Sequence, residues 1–193
     1  MACPTVYAGP LWQAQNAGYG IGGHVVKEAT ATAFVFRADG QGAWRLGLML
    51  HRRFGGWLTP GGHVECDESP AEAVTREIME ELGCEVRLLA GPSVPLPVGY
   101  PHHSVPAPWW MVEMRASPDN HTRVPHVHLD HAFVAVHVAD VCSPETRVWW
   151  VTERELAEAA DVSEDVRLAG KGLFAGIGGL AGSPAQGDGR AGR

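Results

Sequence analysis

No apolar run in this chain approaches the ~18 residues that a membrane-spanning helix needs. The N-terminus also lacks a basic stretch followed by an apolar one. Neither a spanning segment nor a secretory leader is expected. Cysteine is sparse, and the four present (Cys3, Cys66, Cys84 and Cys142) lack the paired spacing of zinc sites or secreted disulfide frameworks. A reduced, cytoplasmic setting is the expectation. Positive charge is in the minority, with 15 Lys and Arg against 22 Asp and Glu, for a formal net charge of -7. That balance argues against broad attraction to nucleic acid. No internal repeat and no linker between large apolar blocks is visible. What is present is an ordinary globular profile, 193 residues at 45% hydrophobic and 19% charged, enough for one domain with a real core.

The informative stretch is residues 62–84. It places Glu77, Glu80 and Glu81 at i, i+3 and i+4, which gathers three carboxylates on one face of a helix. Like charges at i and i+4 repel, so a helix under no demand but folding would avoid the pattern. A hard divalent cation relieves it, because Mg²⁺ is held by carboxylate oxygens and bridges to substrate phosphates. The competing reading is a solvated acidic face. Ser69, Pro70 and Glu72 form the start of a helix, with a capping box and a proline at its first position, and Gly83 stops it. Ala71, Val74, Ile78 and Leu82 make a narrow apolar stripe beside the acidic face, so the carboxylates are expected at the edge of a packed interface. Arg76 stands four residues from both Glu72 and Glu80, and could orient a carboxylate or simply pair with Glu72 on the surface. Before the helix, Trp57-Leu58-Thr59 reads as a short strand ending in a Pro60-Gly61-Gly62 turn, whose glycines permit close backbone approach to a ligand.

These residues resemble the Nudix box: Gly, five residues, Glu, seven residues, Arg-Glu, an apolar residue, any residue, Glu-Glu, any residue, Gly, and an apolar residue. Gly62, Glu68, Arg76, Glu77, Ile78, Glu80, Glu81, Gly83 and Cys84 fill these positions, with Cys84 in the last apolar slot as the mild departure. The resemblance implies an α/β fold, a mixed sheet sandwiched between helices. It implies metal-dependent hydrolysis of a diphosphate linkage in a nucleoside diphosphate derivative. Mg²⁺ or Mn²⁺ would be held by Glu77, Glu80 and Glu81, with a backbone carbonyl near Gly61 or Gly62. Arg76 would orient the glutamates, and Glu68 would act through a metal-bound water or by fixing the loop. Glu77 is a candidate general base, with a residue of a later loop as the alternative. Nothing in the chain selects among the family's substrates, which include damaged nucleoside triphosphates, ADP-ribose, dinucleoside polyphosphates, nucleotide sugars and capped RNA ends.

Along the rest of the chain, Thr30 to Phe36 and Trp44 to His51 read as a hairpin about Asp39. Cys84 to Ala90, Trp109 to Arg115, Val127 to Val138 and Val148 to Val151 read as further strands, and the proline-rich segment 91–108 as a loop. Thr152 with Glu155 forms a second capping box, and Ser163 is placed to cap a helix reaching Phe174. The boundaries expected are an N-terminal arm over 1–27, the catalytic domain over 28–174, and a disordered Gly/Ala-rich tail over 175–193.

Weaker candidates surround the box. Arg52 and Arg53 end the second hairpin strand and could contact phosphates, or form a solvated basic end. Trp109 and Trp110 adjoin the proline loop and point opposite ways, so one could stack a base while the other packs in the core; Trp149 and Trp150 read as core. His126, His128 and Asp130 alternate along a strand and so share a face, suiting a transition metal, a substrate contact or a structural role. The expected partner is a small molecule, with no membrane and no nucleic acid, and a homodimer is left open. Two other classes fit the scaffold. A prenyl-diphosphate isomerase would need a catalytic Cys (Cys66 lies in the loop) and a modified box. A non-catalytic ligand sensor would carry a degraded box and a DNA-binding domain.

Overall fold

Lys27–Ala38 (β1) is the strand on which the rest is hung; the structure, a computed structural model, describes residues 25–182. Its hairpin partner is β2 (Trp44–His51), paired from Val35↔Gly47 to Ala38↔Trp44. Asp39 makes the turn, its Oδ1 accepting hydrogen bonds from the backbone N–H groups of Gln41 and Ala43, both at 3.0 Å. The other edge of β1 pairs in parallel with β7 (His126–Asp140), in unbroken register from Lys27↔Val127 to Phe36↔Val136. The remaining strands are β3 (Gly56–Leu58), β4 (Gly61–His63), β5 (Cys84–Leu89), β6 (Trp110–Ala116) and β8 (Val148–Val151). The sheet runs β3-β2-β1-β7-β5, with β4 on β1, β6 on β7 and β8 on β2.

Alternation along β1 sorts the two faces. Ala31, Ala33 and Val35 point to one side, where Ala73, Val74, Ile78 and Leu82 of α1 (Pro70–Leu82) pack on them with Phe133 and Ala135 of β7. Phe34 and Phe36 point to the other, covered with Leu46, Leu48, Val134 and Val151 by α2 (Glu153–Glu158), α3 (Glu164–Phe174) and α4 (Ile177–Gly182). The expected mixed sheet between helices is thus the observed fold. Ile78 is fully buried, and burial of such a side chain stabilises by ~1.5–3 kcal/mol.

Three expectations are revised. The Pro-Gly-Gly turn is in part a strand: Gly61–His63 pairs antiparallel with β1, from Thr32↔Gly61 to Thr30↔His63. Only a side chain of one hydrogen fits there, since a Cβ on Gly61 would meet the Ala31 carbonyl oxygen at 2.4 Å. Order does not stop at 175, because Ile177, the first residue of α4, is fully buried and extends the second core cluster; residues 183–193 lie outside the described residues. Ser163 precedes α3 but its side chain makes no cap hydrogen bond, and its buried hydroxyl has no partner. Residues 1–24 of the expected arm also lie outside the described residues, and Lys27 already belongs to β1.

Candidate active site

The acidic helix begins as its sequence dictates. Ser69 N–H donates to Glu72 Oε2 at 2.7 Å and Glu72 N–H donates to Ser69 Oγ at 3.4 Å, so the capping box is closed. Gly83 ends the helix at φ 70°, its N–H donating to the Met79 carbonyl at 3.1 Å. With Ala71, Val74, Ile78 and Leu82 buried against the sheet, Glu77, Glu80 and Glu81 emerge at the margin of that interface beside β4.

Arg76 organises the group. Its Nε and Nη2 donate to the two oxygens of Glu68 at 3.2 and 2.8 Å, and Nη1 donates to Glu77 Oε1 at 2.7 Å. Nη2 also reaches the His63 carbonyl at 3.2 Å, and Nη1 lies 3.5 Å from Glu80 Oε2. The expected alternative partner, Glu72, is occupied by the cap instead. The guanidinium fork matches a carboxylate at both teeth, which fixes the loop carrying Glu68 to the helix. The Arg76 hydrogen bonds hold the Glu68 carboxyl below its ordinary range, and Glu68 with Glu77 keeps Arg76 firmly protonated.

Glu81 is tied to β4, accepting a hydrogen bond from Gly61 N–H at 2.9 Å. Burial pushes its carboxyl up to about 7, the Gly61 N–H opposes this, and the Glu77 and Glu80 charges push further. Glu80 is raised in the same way, first by burial and then by Glu77. Gly62 forms the cradle: a Cβ there would lie 2.2 Å from Glu77 Oε1. Three carboxylates (Glu68, Glu77, Glu80) thus share one guanidinium, with Glu81 beside them on the Gly61 N–H. Their hard oxygen donors and their unbalanced charge fit a Mg²⁺- or Mn²⁺-type ion.

The sequence gives little sign of Glu145. The loop between β7 and β8 carries it to the site, its N–H donating to the Glu80 carbonyl at 2.8 Å, and its charge adds to the field at Glu80 and Glu81. A lone glutamate in a Ser-Pro-Glu-Thr loop has no periodicity to betray it. Arg52 sits beside it, donating to the Glu145 carbonyl at 3.3 Å. Arg53 turns elsewhere, to the Pro118 carbonyl at 2.6 Å.

Trp109 does not reach the carboxylates. Its indole N–H donates to the Leu89 carbonyl at 2.9 Å and its ring joins the cluster under α2–α4, on the far face of the sheet. The proline loop delivers it to that face, where apolar packing and one backbone acceptor satisfy both parts of the indole. His128 is on the far face too, with His126. Asp130 shares that face but stands apart from the two rings: it is buried and accepts from Thr30 Oγ1 at 2.8 Å and Thr32 Oγ1 at 2.7 Å.

The NUDIX domain family model matches residues 26–169. Among solved structures, a NUDIX-family hydrolase from Clostridium perfringens aligns with TM-score 0.63 at 22% identity, covering 79% of this chain and 99% of that one. A possible asymmetric diadenosine tetraphosphate hydrolase from Jonesia denitrificans aligns with TM-score 0.55 at 22% identity, covering 81% and 98%. The C. elegans Ap4A hydrolase aligns with TM-score 0.50 at 14% identity, covering 79% and 99%. A comparison with curated proteins gives no match. At these identities the structural neighbours establish the fold alone, while the family match spans most of the chain and includes the whole acidic helix with its glycine approach. The chain belongs to the Nudix family and is a hydrolase of that family, acting on pyrophosphate linkages.

Proposed function

We propose that the protein is a divalent-metal-dependent pyrophosphohydrolase of a nucleoside diphosphate derivative, with its chemistry centred on Glu77, Glu80 and Glu81. The observation that carries this reading is the crowding of Glu68, Glu77 and Glu80 about the single Arg76 with Glu81 alongside, Glu80 and Glu81 both being raised first by burial and then by the Glu77 charge. Glu77, Glu80 and Glu81 would hold the ion, with the backbone at Gly62 close by. When bound, the ion neutralises phosphoryl oxygens and lowers the pKa of bound water.

The chain's own residues supply positioning. Arg76 clamps Glu68 and Glu77 in one plane of hydrogen bonds, so neither carboxylate must reorganise when substrate arrives. Gly61 N–H fixes Glu81 by one oxygen. Glu77 is the proposed general base: water adds to phosphorus, the bridging P–O bond breaks, and the water proton passes to the carboxylate. Arg52, exposed at the end of β2 and next to Glu145, is the proposed phosphate contact from the basic pair. The intact box and the exposed position of Cys66 in its loop favour hydrolysis over the isomerase chemistry. Dinucleoside polyphosphates, the substrates named for two of the structural neighbours, are the first to assay.

The test is a panel of nucleotide derivatives with Mg²⁺ or Mn²⁺, read as phosphate released by a coupled phosphatase. Glu81→Gln should lower turnover at least ~100-fold with an unchanged circular dichroism spectrum. Undiminished turnover in Glu81→Gln, or full activity in excess chelator, would overturn the metal assignment.

A further inference from the structure

We propose a second metal site, for Zn²⁺, on the face of the sheet opposite α1, built from His63, His126 and His128 with Glu28 and Asp119. The site is distinct from the acidic cleft. Glu28 and His128 are register partners across β1 and β7, and His63 pairs with Thr30 across β1 and β4. Paired residues share a face, and here it is the face of Thr30 and Asp130, whereas Gly62 and Ala31 face Glu77.

Five side chains from four separate segments converge: β1, β4, the loop between β6 and β7, and β7. One ligand atom from each lies within 4.8 Å of all the others. Four ligands at the ~2.0–2.1 Å bonds of zinc stand ~3.3–3.4 Å apart at the corners of a tetrahedron. The observed separations bracket that edge. His126 Nε2 lies 2.9 Å from His128 Nε2 and 3.4 Å from both Glu28 Oε2 and Asp119 Oδ2. His63 Nε2 lies 3.0 Å from Glu28 Oε2 and 3.9 Å from Asp119 Oδ2, and His128 Nε2 lies 3.8 Å from Asp119 Oδ2. Three imidazoles with one or two carboxylates is a donor set for zinc, whereas Mg²⁺ and Ca²⁺ take oxygen alone.

The outer contacts point the same way. His126 is fully buried, and its Nδ1 lies 2.9 Å from the Val124 carbonyl. A carbonyl can only accept, so Nδ1 is the protonated donor and Nε2 is the ring atom turned to the centre. Asp119 Oδ1 accepts from His121 and Thr122 N–H at 2.8 Å each, which leaves Oδ2 for the centre. Glu28 is held at its other oxygen by the Thr122 hydroxyl. Each of these three ligands thus has an outside partner orienting it, as metal ligands regularly do. The site also reaches the active site through one residue: the His63 ring faces the zinc while its carbonyl accepts from Arg76 at 3.2 Å. Zinc here pins β4, and with it the Gly61 N–H that holds Glu81.

The test strips the full-length protein of metal and titrates it with Co²⁺, a spectroscopic stand-in for zinc, then displaces it with Zn²⁺. The wild type and the double variant Glu80→Gln/Glu81→Gln should each take up one Co²⁺ with the visible absorption of a four- or five-coordinate nitrogen and oxygen site. His126→Gln/His128→Gln should bind it at least ~100-fold more weakly. Should that variant not fold, Asp119→Asn, altered only in a loop, should still weaken Co²⁺ by about 10-fold. Zn²⁺ should also raise the melting temperature of the wild type and of the glutamate variant. No visible band in the wild type, loss of the band in the glutamate variant, or undiminished affinity in both the histidine and Asp119 variants would each overturn the site.

Discussion

Gly62 is where a single atom separates stability from activity. An added Cβ would collide with the Glu77 carboxylate, the far end of a flexible side chain, so the fold can yield by moving Glu77. Gly62→Ala should therefore melt within a few degrees of wild type, while turnover falls ~10- to 100-fold as the general base is displaced by about an ångström. Gly61→Ala is the contrast. Its Cβ would meet the Ala31 carbonyl oxygen at 2.4 Å and Thr32 Cα at 2.8 Å, both backbone. It should destabilise by ~1–3 kcal/mol in urea unfolding, as overpacking does. Equal melting of the two variants would refute the distinction. At this scale the sequence was legible where spacing carried the chemistry, as with Glu77, Glu80 and Glu81. It was not legible where a side chain chose among partners: Arg76 took Glu68 rather than Glu72, because the capping box had already claimed Glu72. Glu145 and the His63–His126 encounter depend on long-range pairing, to which local pattern is blind.

Caps separate elements that look alike on paper. Ser69 and Thr152 both close capping boxes, Thr152 with Glu155 N–H donating to its Oγ1 at 3.2 Å. Ser163 occupies the same kind of position but satisfies nothing. Ser69→Ala should cost ~1 kcal/mol of stability, whereas Ser163→Ala should be neutral or slightly stabilising, since it removes a buried hydroxyl without a partner. Chemical denaturation of the two variants decides this. α1 was readable end to end because cap, stripe and stop are all local signals. β4 was not, since Pro-Gly-Gly reads as a turn until β1 is known to lie alongside it. The parallel pairing of β1 with β7 was equally hidden: both segments read as strands, but periodicity is silent on direction.

For the molecule as a whole, the buried carboxylate of Glu81 ties stability to pH. In metal-free protein its folded pKa is about 7 against an ordinary 4.5. Between these values the native state holds a proton that the unfolded chain has released, so stability falls as pH rises. The contribution is fully present below about 4.5 and is lost as pH climbs through about 7. Melting in a chelating buffer should decline from about pH 5 to pH 8, and Glu81→Gln should flatten that decline. A wild-type profile that rises over this interval would contradict it. Among the described residues, no helix is long and apolar enough to cross a membrane. The β1–β7 ladder adds a temporal constraint. Glu28 and His128 are partners exactly one hundred positions apart in a continuous parallel register, and such distant pairings form slowly. A nascent chain can assemble the β1–β2 hairpin and wind α1 early, yet neither the sheet face under the acidic helix nor the histidine cluster behind it exists until β7 has emerged from the ribosome. Both clusters therefore wait on one and the same strand pairing.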